Sequence, residues 1–142
     1  MKQASQEARV EASPQQCFDA IADFESYPEW QDAVKDCEVL SRHADGRAER
    51  VRFEIDAKVK RVTYTLAYTY EEPHEVSWDF VEGDPKHVEG EFRFEDRGDG
   101  TTLASYTLRL DPGVWLPGPI AKVLRDQVMR RAVDDLKSRL EG

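Results

Sequence analysis

Alternation of apolar and polar side chains over a long central stretch constrains the fold more than any other feature of this sequence. From Val34 to Leu110 the residues change character at every second position, as in antiparallel strands with one buried face and one wet face. Clusters of turn-forming residues divide this stretch into roughly six strands. The clusters are Asp45-Gly46, Glu72-Pro73, Gly83-Asp84-Pro85 and Gly98-Asp99-Gly100. A continuous antiparallel meander is therefore predicted.

The N-terminal segment predicts a further strand and two short helices. Gln3 to Ala12 alternates in the same way, which brings the sheet to about seven strands. Ser13 then suits an N-cap, Pro14 suits the first helical position, and Gln16 completes a capping box. A second, shorter helix is predicted to restart at Ser26, because the next proline lies within its first turn.

The C-terminal segment predicts one long helix, beginning near Pro117 and Pro119 and ending at about Leu140. Its apolar stripe consists of Ala121, Leu124, Val128, Ala132 and Leu136. Strands do not alternate with helices, so a doubly wound parallel sheet is excluded. Nothing in the 142 residues reads as a linker, and a single α+β domain is predicted over residues 1–142, with a seven-stranded curved antiparallel sheet wrapped around the long helix.

An internal cavity is the functional feature that this arrangement suggests. A sheet of about seven strands presents more apolar face than one helix of roughly 10 Å diameter can cover, so a bent sheet leaves space beside the helix. The candidate ligand-binding residues, eight on the sheet and two on the helix, are Phe53, Tyr64, Leu66, Tyr68, Trp78, Phe80, Phe92, Tyr106, Arg125 and Val128. The polar tips of the buried rings need partners, which are either a ligand or neighbouring groups in a filled core. A pocket below about 300 Å³ would favour a role in protein interaction over ligand binding.

Arg125 is the single residue that departs most clearly from its surroundings. It falls in the apolar stripe of the last helix, at helical spacing from Ala121 and Val128. Two interpretations stand: its guanidinium points inward and binds a carboxylate, carbonyl or phenolate of a ligand, or it extends its head to water.

Composition and motifs exclude several classes of function. The formal net charge of -9 argues against a nucleic-acid partner, and the absence of an apolar signal stretch predicts a cytoplasmic protein. Cys17 and Cys37 are predicted to be small core residues. No metal site is predicted, because the three histidines His43, His74 and His87 have no carboxylate or cysteine at ligand spacing, and His87 is either a general base at the cavity mouth or a surface residue. No catalytic nucleophile or cofactor is predicted, because the serines lack a nucleophile-elbow glycine pattern and Gly98-Asp99-Gly100 is a hairpin turn.

The segment Val114-Trp115-Leu116, ahead of the last helix, allows two interpretations. It is either a mobile lid that touches a membrane transiently during ligand exchange, or a plug packed over the start of the helix.

Three segments also resemble a known family: Tyr27-Pro28-Glu29-Trp30, Trp78 to Gly83, and His87 to Phe94 followed by Gly98-Asp99-Gly100-Thr101. They are similar to the polyketide cyclase/dehydrase and coenzyme Q-binding branch of the START-like, helix-grip superfamily. The resemblance implies a helix-grip fold and a hydrophobic ligand held between the sheet and the long helix.

Three functions follow as hypotheses. The first is non-enzymatic binding or carriage of a lipid, isoprenoid or polyketide-like molecule. The second is a polyketide aromatase/cyclase in which tyrosines or Arg125 assist enolisation and dehydration. The third, implied by the resemblance, is a ribosome- or protein-interacting regulator. The oligomeric state is not predicted.

Overall fold

Seven strands and three α-helices are present in the residues that the computed structural model describes, which are 2–31, 34–56, 61–111 and 132–141. The strands are β1 (Lys2–Val10), β2 (Val34–Arg42), β3 (Ala48–Asp56), β4 (Arg61–Glu71), β5 (Glu75–Gly83), β6 (His87–Asp96) and β7 (Thr102–Asp111). The helices are α1 (Pro14–Ala22), a 3-10 turn at Phe24–Ser26, α2 (Tyr27–Trp30) and α3 (Ala132–Glu141).

The strands form one antiparallel sheet in the order β1-β7-β6-β5-β4-β3-β2. Six of them are a meander in chain order, and β1 closes against β7. Register shifts interrupt the β2–β3 and β4–β5 pairings, and bulges of this kind bend a sheet. The predicted meander and α+β fold class are confirmed.

Cross-strand register places the inner-face aromatic residues opposite one another. Phe53 faces Tyr64 across β3 and β4, Tyr68 faces Trp78 across β4 and β5, and Phe92 faces Tyr106 across β6 and β7. These partners share one face because side chains alternate along each strand. One side of the sheet is therefore a continuous aromatic surface.

The start of α1 is held by the predicted capping box. Ser13 Oγ accepts from the Gln16 backbone N–H at 3.1 Å, and Gln16 Oε1 accepts from the Ser13 N–H at 2.9 Å. Pro14 occupies the first turn, and α1 buries Cys17, Phe18 and Ile21. The helix therefore begins where the sequence predicts, with its apolar face against the sheet.

Arg47 connects α1 to the turns of two β-hairpins. Its guanidinium lies 4.8 Å from the centre of the Phe18 ring and 2.6 Å from Glu72 Oε1. One cation thus joins α1, the β2–β3 turn and the β4–β5 turn, which holds Ile21 over the inner face of the sheet.

The described part of the C-terminal helix has the predicted polarity. Ala132, Val133 and Leu136 are buried, while Lys137 Nζ donates to the Arg9 carbonyl at 2.9 Å and lies 2.8 Å from Glu141 Oε2. The remaining predictions for this segment, which concern Val114, Trp115, Leu116, Arg125 and Val128, lie outside the described residues. Within the described ranges, no helix has the length and apolarity needed to cross a membrane.

Gly90 allows the sheet to accommodate the Trp78 indole. A Cβ at this position would lie 2.3 Å from the Thr107 carbonyl oxygen and 2.9 Å from Trp78 Cζ2. Glycine in a strand interior costs stability and marks a close approach of this kind. The Trp78 indole therefore occupies the space into which the side chain of any residue other than glycine at position 90 would project.

Replacing Gly90 by Ala should reduce the free energy of unfolding by about 1–3 kcal/mol, because the methyl group overlaps a backbone oxygen and the Trp78 ring. Urea denaturation monitored by circular dichroism measures the change. Gly98→Asn is the control, since nothing lies within 4 Å of its Cβ position and Asn tolerates a positive φ. Equal stability of the Gly90→Ala protein and the wild type would contradict the conclusion that the Trp78 indole needs the space left by Gly90.

Candidate functional site: an aromatic cavity under the inner sheet face

A cavity of about 70 Å³ lies between the inner face of the sheet, α1, α2 and the start of α3. The sheet contributes most of its wall, and Ile21, Tyr27 and Ala132 contribute from the three helices. This volume is well below the roughly 300–1,000 Å³ of pockets that hold drug-sized ligands. By this criterion of size, the cavity favours an interaction role over the binding of a large ligand.

Seven of the ten predicted ligand-binding residues line this cavity. They are Phe53, Tyr64, Leu66, Tyr68, Trp78, Phe92 and Tyr106. Phe80 is not part of the described lining: it is half-buried near the end of β5, with its ring centre 6.0 Å from that of His87. Arg125 and Val128 lie outside the described residues. The structure thus brings together the central part of the predicted set.

Seven further described residues complete the lining, namely Ile21, Tyr27, Gln31, Val34, Val88, Leu108 and Ala132. Val88 and Leu108 lie on the same strand face as the predicted residues, and Ala132 lies in the predicted apolar stripe of the helix. The sequence pattern could therefore have identified these three residues as part of the cavity wall. Gln31 follows α2 directly, and no periodicity marks its position. Its contribution depends on the path of the chain after a four-residue helix.

The aromatic side chains pack on one another around the cavity. The ring centres of Phe53 and Tyr64 are 5.5 Å apart, those of Trp78 and Tyr106 are 5.7 Å apart, and Phe92 lies 4.8 Å from Tyr106. These spacings are within the 4.5–7 Å range of favourable aromatic pairs. The apolar faces of the rings therefore pack favourably against one another.

The polar tips of four of these rings make no hydrogen bond to another described residue. Tyr64, Tyr68, Trp78 and Tyr106 are each at least 92% buried and line the cavity, but their tips are not orphaned in the packed core, since Gln6 Oε1 is the one buried side-chain polar atom without a partner among the described residues. The hydroxyl and indole N–H groups of these four residues therefore line the cavity without donating a hydrogen bond to any described residue.

Two neighbouring tyrosines behave differently. Tyr27 donates its hydroxyl hydrogen to the Ile21 carbonyl, and Tyr70 donates to the Ala48 carbonyl at 2.6 Å. Both are thus anchored to the backbone as structural core residues. The contrast separates tyrosines that complete the fold from tyrosines that leave a donor in the cavity.

Burial keeps the cavity tyrosines uncharged. Desolvation raises the pKa of Tyr64, Tyr68 and Tyr106 well above the ordinary tyrosine value, and neighbouring tyrosine or cysteine groups raise these pKa values further. The described lining contains no ionisable side chain other than these phenols and Tyr27. At neutral pH the described wall is therefore a surface without formal charge.

The cysteines are confirmed as core residues. Both are buried and free, and desolvation raises the pKa of the Cys17 thiol to about 11. Burial also raises the pKa of Cys37. Neither thiol carries the charge that a nucleophile needs at neutral pH.

The expectation that no histidine has a carboxylate partner is wrong for His87. Its Nε2 lies 3.7 Å from Asp79 Oδ1 and 3.8 Å from Glu89 Oε1. Asp79 lies on a different strand, so linear spacing in the sequence does not show that it is a neighbour of His87. The side-chain atoms of Asp79, His87 and Glu89 that could coordinate a metal ion lie within 4.8 Å of one another. Glu89 also contacts Arg109 at 3.2 Å, and the Asp79 side chain is 70% exposed. We interpret the group as a polar cluster on the outer face of the sheet, in which Arg109 forms the ion pair with Glu89.

A bent antiparallel sheet closed by a C-terminal helix, with short helices after its first strand and an aromatic cavity beneath, defines a START-like protein of the helix-grip fold. The profile of the family described as "Polyketide cyclase / dehydrase and lipid transport" matches residues 1–141. The chain belongs to this family.

Solved structures agree with this classification. A START superfamily protein from Mycobacterium smegmatis is 26% identical, with a TM-score of 0.85 over 98% of this chain and 97% of that one. The Zhui aromatase/cyclase from Streptomyces sp. R1128 is 16% identical, with a TM-score of 0.79 over 99% and 93% of the two chains. Protein TTHA0849 from Thermus thermophilus is 20% identical, with a TM-score of 0.72 over 99% and 92%. The last two matches show the fold alone. No similar sequence is found among curated proteins.

Stability should fall as the pH rises above about 9–10. Folded-state pKa values that are raised above the unfolded values mean that the folded protein holds these protons more tightly. The contribution is complete below the unfolded pKa values of about 8.5 for Cys and 10 for Tyr, and it is lost as the pH approaches the folded values. Urea unfolding at pH 8 and pH 10.5 measures the loss. It should be smaller in a Tyr64→Phe/Tyr106→Phe variant, and an equal loss in both proteins would contradict the account.

Proposed function

We propose that this chain binds an apolar small molecule, of the lipid, isoprenoid or polyketide-like kind, in the cavity between the inner sheet face and the C-terminal helix. The observation that supports the proposal is the set of four polar groups, on Tyr64, Tyr68, Trp78 and Tyr106, that line one apolar cavity and make no hydrogen bond to another described residue. A molecule that fills the cavity and accepts hydrogen bonds from these groups gains roughly 0.5–1.5 kcal/mol for each bond.

The volume determines how such a molecule can enter. At about 70 Å³ the cavity holds a few atoms, so the wall must move outward for anything larger. Rotation of the cavity-facing rings is the smallest such change, because rotation leaves the sheet ladder intact. We therefore expect binding to be accompanied by rearrangement of Trp78, Phe92 and Tyr106.

Several parts of the proposal extend beyond the described residues. We propose that Arg125 and Val128 complete the site from the C-terminal helix, and that Val114, Trp115 and Leu116 form a lid or a plug. Phe80 joins the site only if its half-buried ring turns toward the cavity. A cytoplasmic location and the exclusion of nucleic acid remain predictions from composition.

A cyclase is the second candidate, because the family description includes polyketide cyclase and dehydrase activity. In such an enzyme the cavity would hold a poly-β-ketone in a folded shape, and uncharged phenols would donate to its carbonyl groups during enolisation. Release of an aromatic product from a poly-β-ketone thioester, abolished in the Tyr→Phe variants, distinguishes this function from simple binding.

A protein-interaction role is the third candidate, and the small volume favours it. It predicts that the chain captures a macromolecular partner equally well when the cavity is blocked. A variant with a blocked cavity therefore separates this role from both ligand-based functions.

Blocking the cavity should weaken binding of the apolar fluorescent probe N-phenyl-1-naphthylamine. Val88 is a wall residue, and Val88→Phe adds a ring to the cavity, so we expect at least about a tenfold loss of affinity at a cost of about 1–3 kcal/mol in stability. Fluorescence titration measures the affinity.

Leu103→Phe is the matched control. Leu103 lies opposite Arg9 and Glu95 in the neighbouring strands, on the outer face, so this variant should bind the probe like the wild type. Equal binding by the wild type and Val88→Phe proteins, or no binding by the wild type, would contradict ligand binding in this cavity.

A further inference from the structure

Three side chains that can coordinate a metal ion converge on the outer face of the sheet, on the side opposite the cavity. They are Asp79 on β5 and His87 and Glu89 on β6, and their coordinating atoms lie within 4.8 Å of one another. His87 and Glu89 are two residues apart on one strand, so both project to the same face. The approach of β5 to β6 therefore brings one nitrogen and two carboxylate groups together.

The distances between these atoms are close to those of a metal's ligand set. His87 Nε2 lies 3.7 Å from Asp79 Oδ1 and 3.8 Å from Glu89 Oε1. Hydrogen bonds would bring such atoms to about 2.7–3.2 Å. Two atoms bound tetrahedrally to one zinc ion, each at about 2.0–2.2 Å, lie about 3.3–3.6 Å apart. The imidazole is therefore too far from both carboxylates for a hydrogen bond and needs only a small movement to share an ion with them.

Neighbouring groups already orient both carboxylates. Asp79 Oδ1 accepts a hydrogen bond from the Phe80 N–H at 2.8 Å, and Glu89 Oε1 lies 3.2 Å from Arg109 Nε. Partners of this kind orient the ligands of metal sites. Arg109 also has an opposing effect, because its positive charge repels a cation bound at Glu89. We therefore expect weaker binding than at an enclosed structural zinc site.

Solvent gives an ion access to all three side chains. The Asp79 side chain is 70% exposed, and those of His87 and Glu89 are each 34% exposed. Two further charged residues are close to the site: Asp111 lies opposite His87 in the β6–β7 register, and Lys86 Nζ lies 4.0 Å from the Asp111 carboxylate. An ion can thus enter from water, and exposed Asp79 can move toward the other two ligands.

The cluster lies where the sheet divides. Backbone pairing between β5 and β6 ends at Trp78 and Gly90, although β5 continues to Gly83 and β6 begins at His87. Beyond that point β5 remains paired with β4, and β6 remains paired with β7. The ladder between these two described strands therefore stops short of the cluster. An ion held by the three side chains would connect the two halves of the sheet at this place.

The ligand types restrict the kind of metal. An imidazole nitrogen combined with carboxylate oxygens suits zinc and neighbouring transition-metal ions, whereas magnesium and calcium prefer oxygen ligands alone. Three protein ligands leave a fourth position for water in a tetrahedral site. A zinc-like ion is therefore the occupant that the three side chains favour.

We propose that Asp79, His87 and Glu89 bind a divalent transition-metal ion of the zinc type, and that this ion joins β5 to β6 where their backbone pairing ends. The site lies on the opposite sheet face from the cavity, and it does not depend on the proposed ligand-binding function.

Isothermal titration calorimetry with zinc chloride tests the site, with protein that has been treated with EDTA and then dialysed. The wild type should bind one zinc ion per chain with a saturable isotherm, and magnesium chloride should give no such isotherm. His87→Ala removes the nitrogen ligand and should weaken zinc binding at least about tenfold, because loss of a group that merely supports a ligand already costs about 10–100-fold. Asp79→Asn should weaken it as well.

His74→Ala is the matched control. His74 is an exposed histidine whose Nδ1 lies 3.3 Å from the Phe94 carbonyl oxygen, and it is not part of the cluster. This variant should bind zinc like the wild type. Equal zinc affinity of the wild-type and His87→Ala proteins would overturn the site, as would an equal loss in His74→Ala or no saturable binding by the wild type up to about 1 mM zinc. Circular dichroism checks folding, and Asp79→Asn provides the same comparison if His87→Ala does not fold.

Hydrogen exchange tests whether the ion joins the two strands. Zinc should slow exchange of the backbone amides of residues 79–83 and 87–89 in the wild type, because an ion that holds the strands together reduces their local opening. The same amides should not respond in His87→Ala. Zinc binding at the cluster with unchanged exchange in these residues would overturn the joining role and leave the metal site intact.

Discussion

The need to cover one apolar sheet face determines the rest of this structure. Val51, Val62, Val76 and Ala104 are completely buried on that face, and helices cover it in the described part of the chain. The short helices α1 and α2 cover one part, and Ala132, Val133 and Leu136 of α3 cover another. Because the sheet is bent and the helices are straight, the two surfaces do not fit together completely, and a cavity forms where they separate.

Hydrogen bonding then divides the inner aromatic residues into two groups. Tyr27 and Tyr70 give their hydroxyl hydrogens to backbone carbonyls and so complete the core. Tyr64, Tyr68 and Tyr106 line the cavity and make no hydrogen bond to another described residue. Their hydroxyls are therefore the groups that the proposed ligand would meet on the sheet side of the cavity.

The alternation of the strands was sufficient to predict the fold and half of the described cavity wall. Parity identified Phe53, Tyr64, Trp78 and Tyr106 because period-two patterning determines which face each side chain occupies. It placed Phe80 inward as well, and this half-buried residue packs against the core but lies beside His87 and outside the described cavity lining, near a register shift between β4 and β5. Such irregularities have no counterpart in a residue pattern.

Other features depended on contacts between distant segments. Gln31 joins the wall through the geometry of a short helix, and Asp79 approaches His87 only when β5 and β6 pair. The volume of the cavity also could not be predicted, because it depends on differences of about an ångström in how rings and helices pack.

The central claim is that the inner aromatic surface is a binding surface. Two-dimensional NMR of the protein with labelled aromatic side chains, recorded during titration with 2-acetylnaphthalene, tests it most directly. The account predicts that the resonances of Tyr64, Trp78, Phe92 and Tyr106 shift together and saturate, while those of Trp30 and Tyr70 shift little. Shifts confined to residues away from the inner face, or no saturable change at the cavity residues, would contradict it.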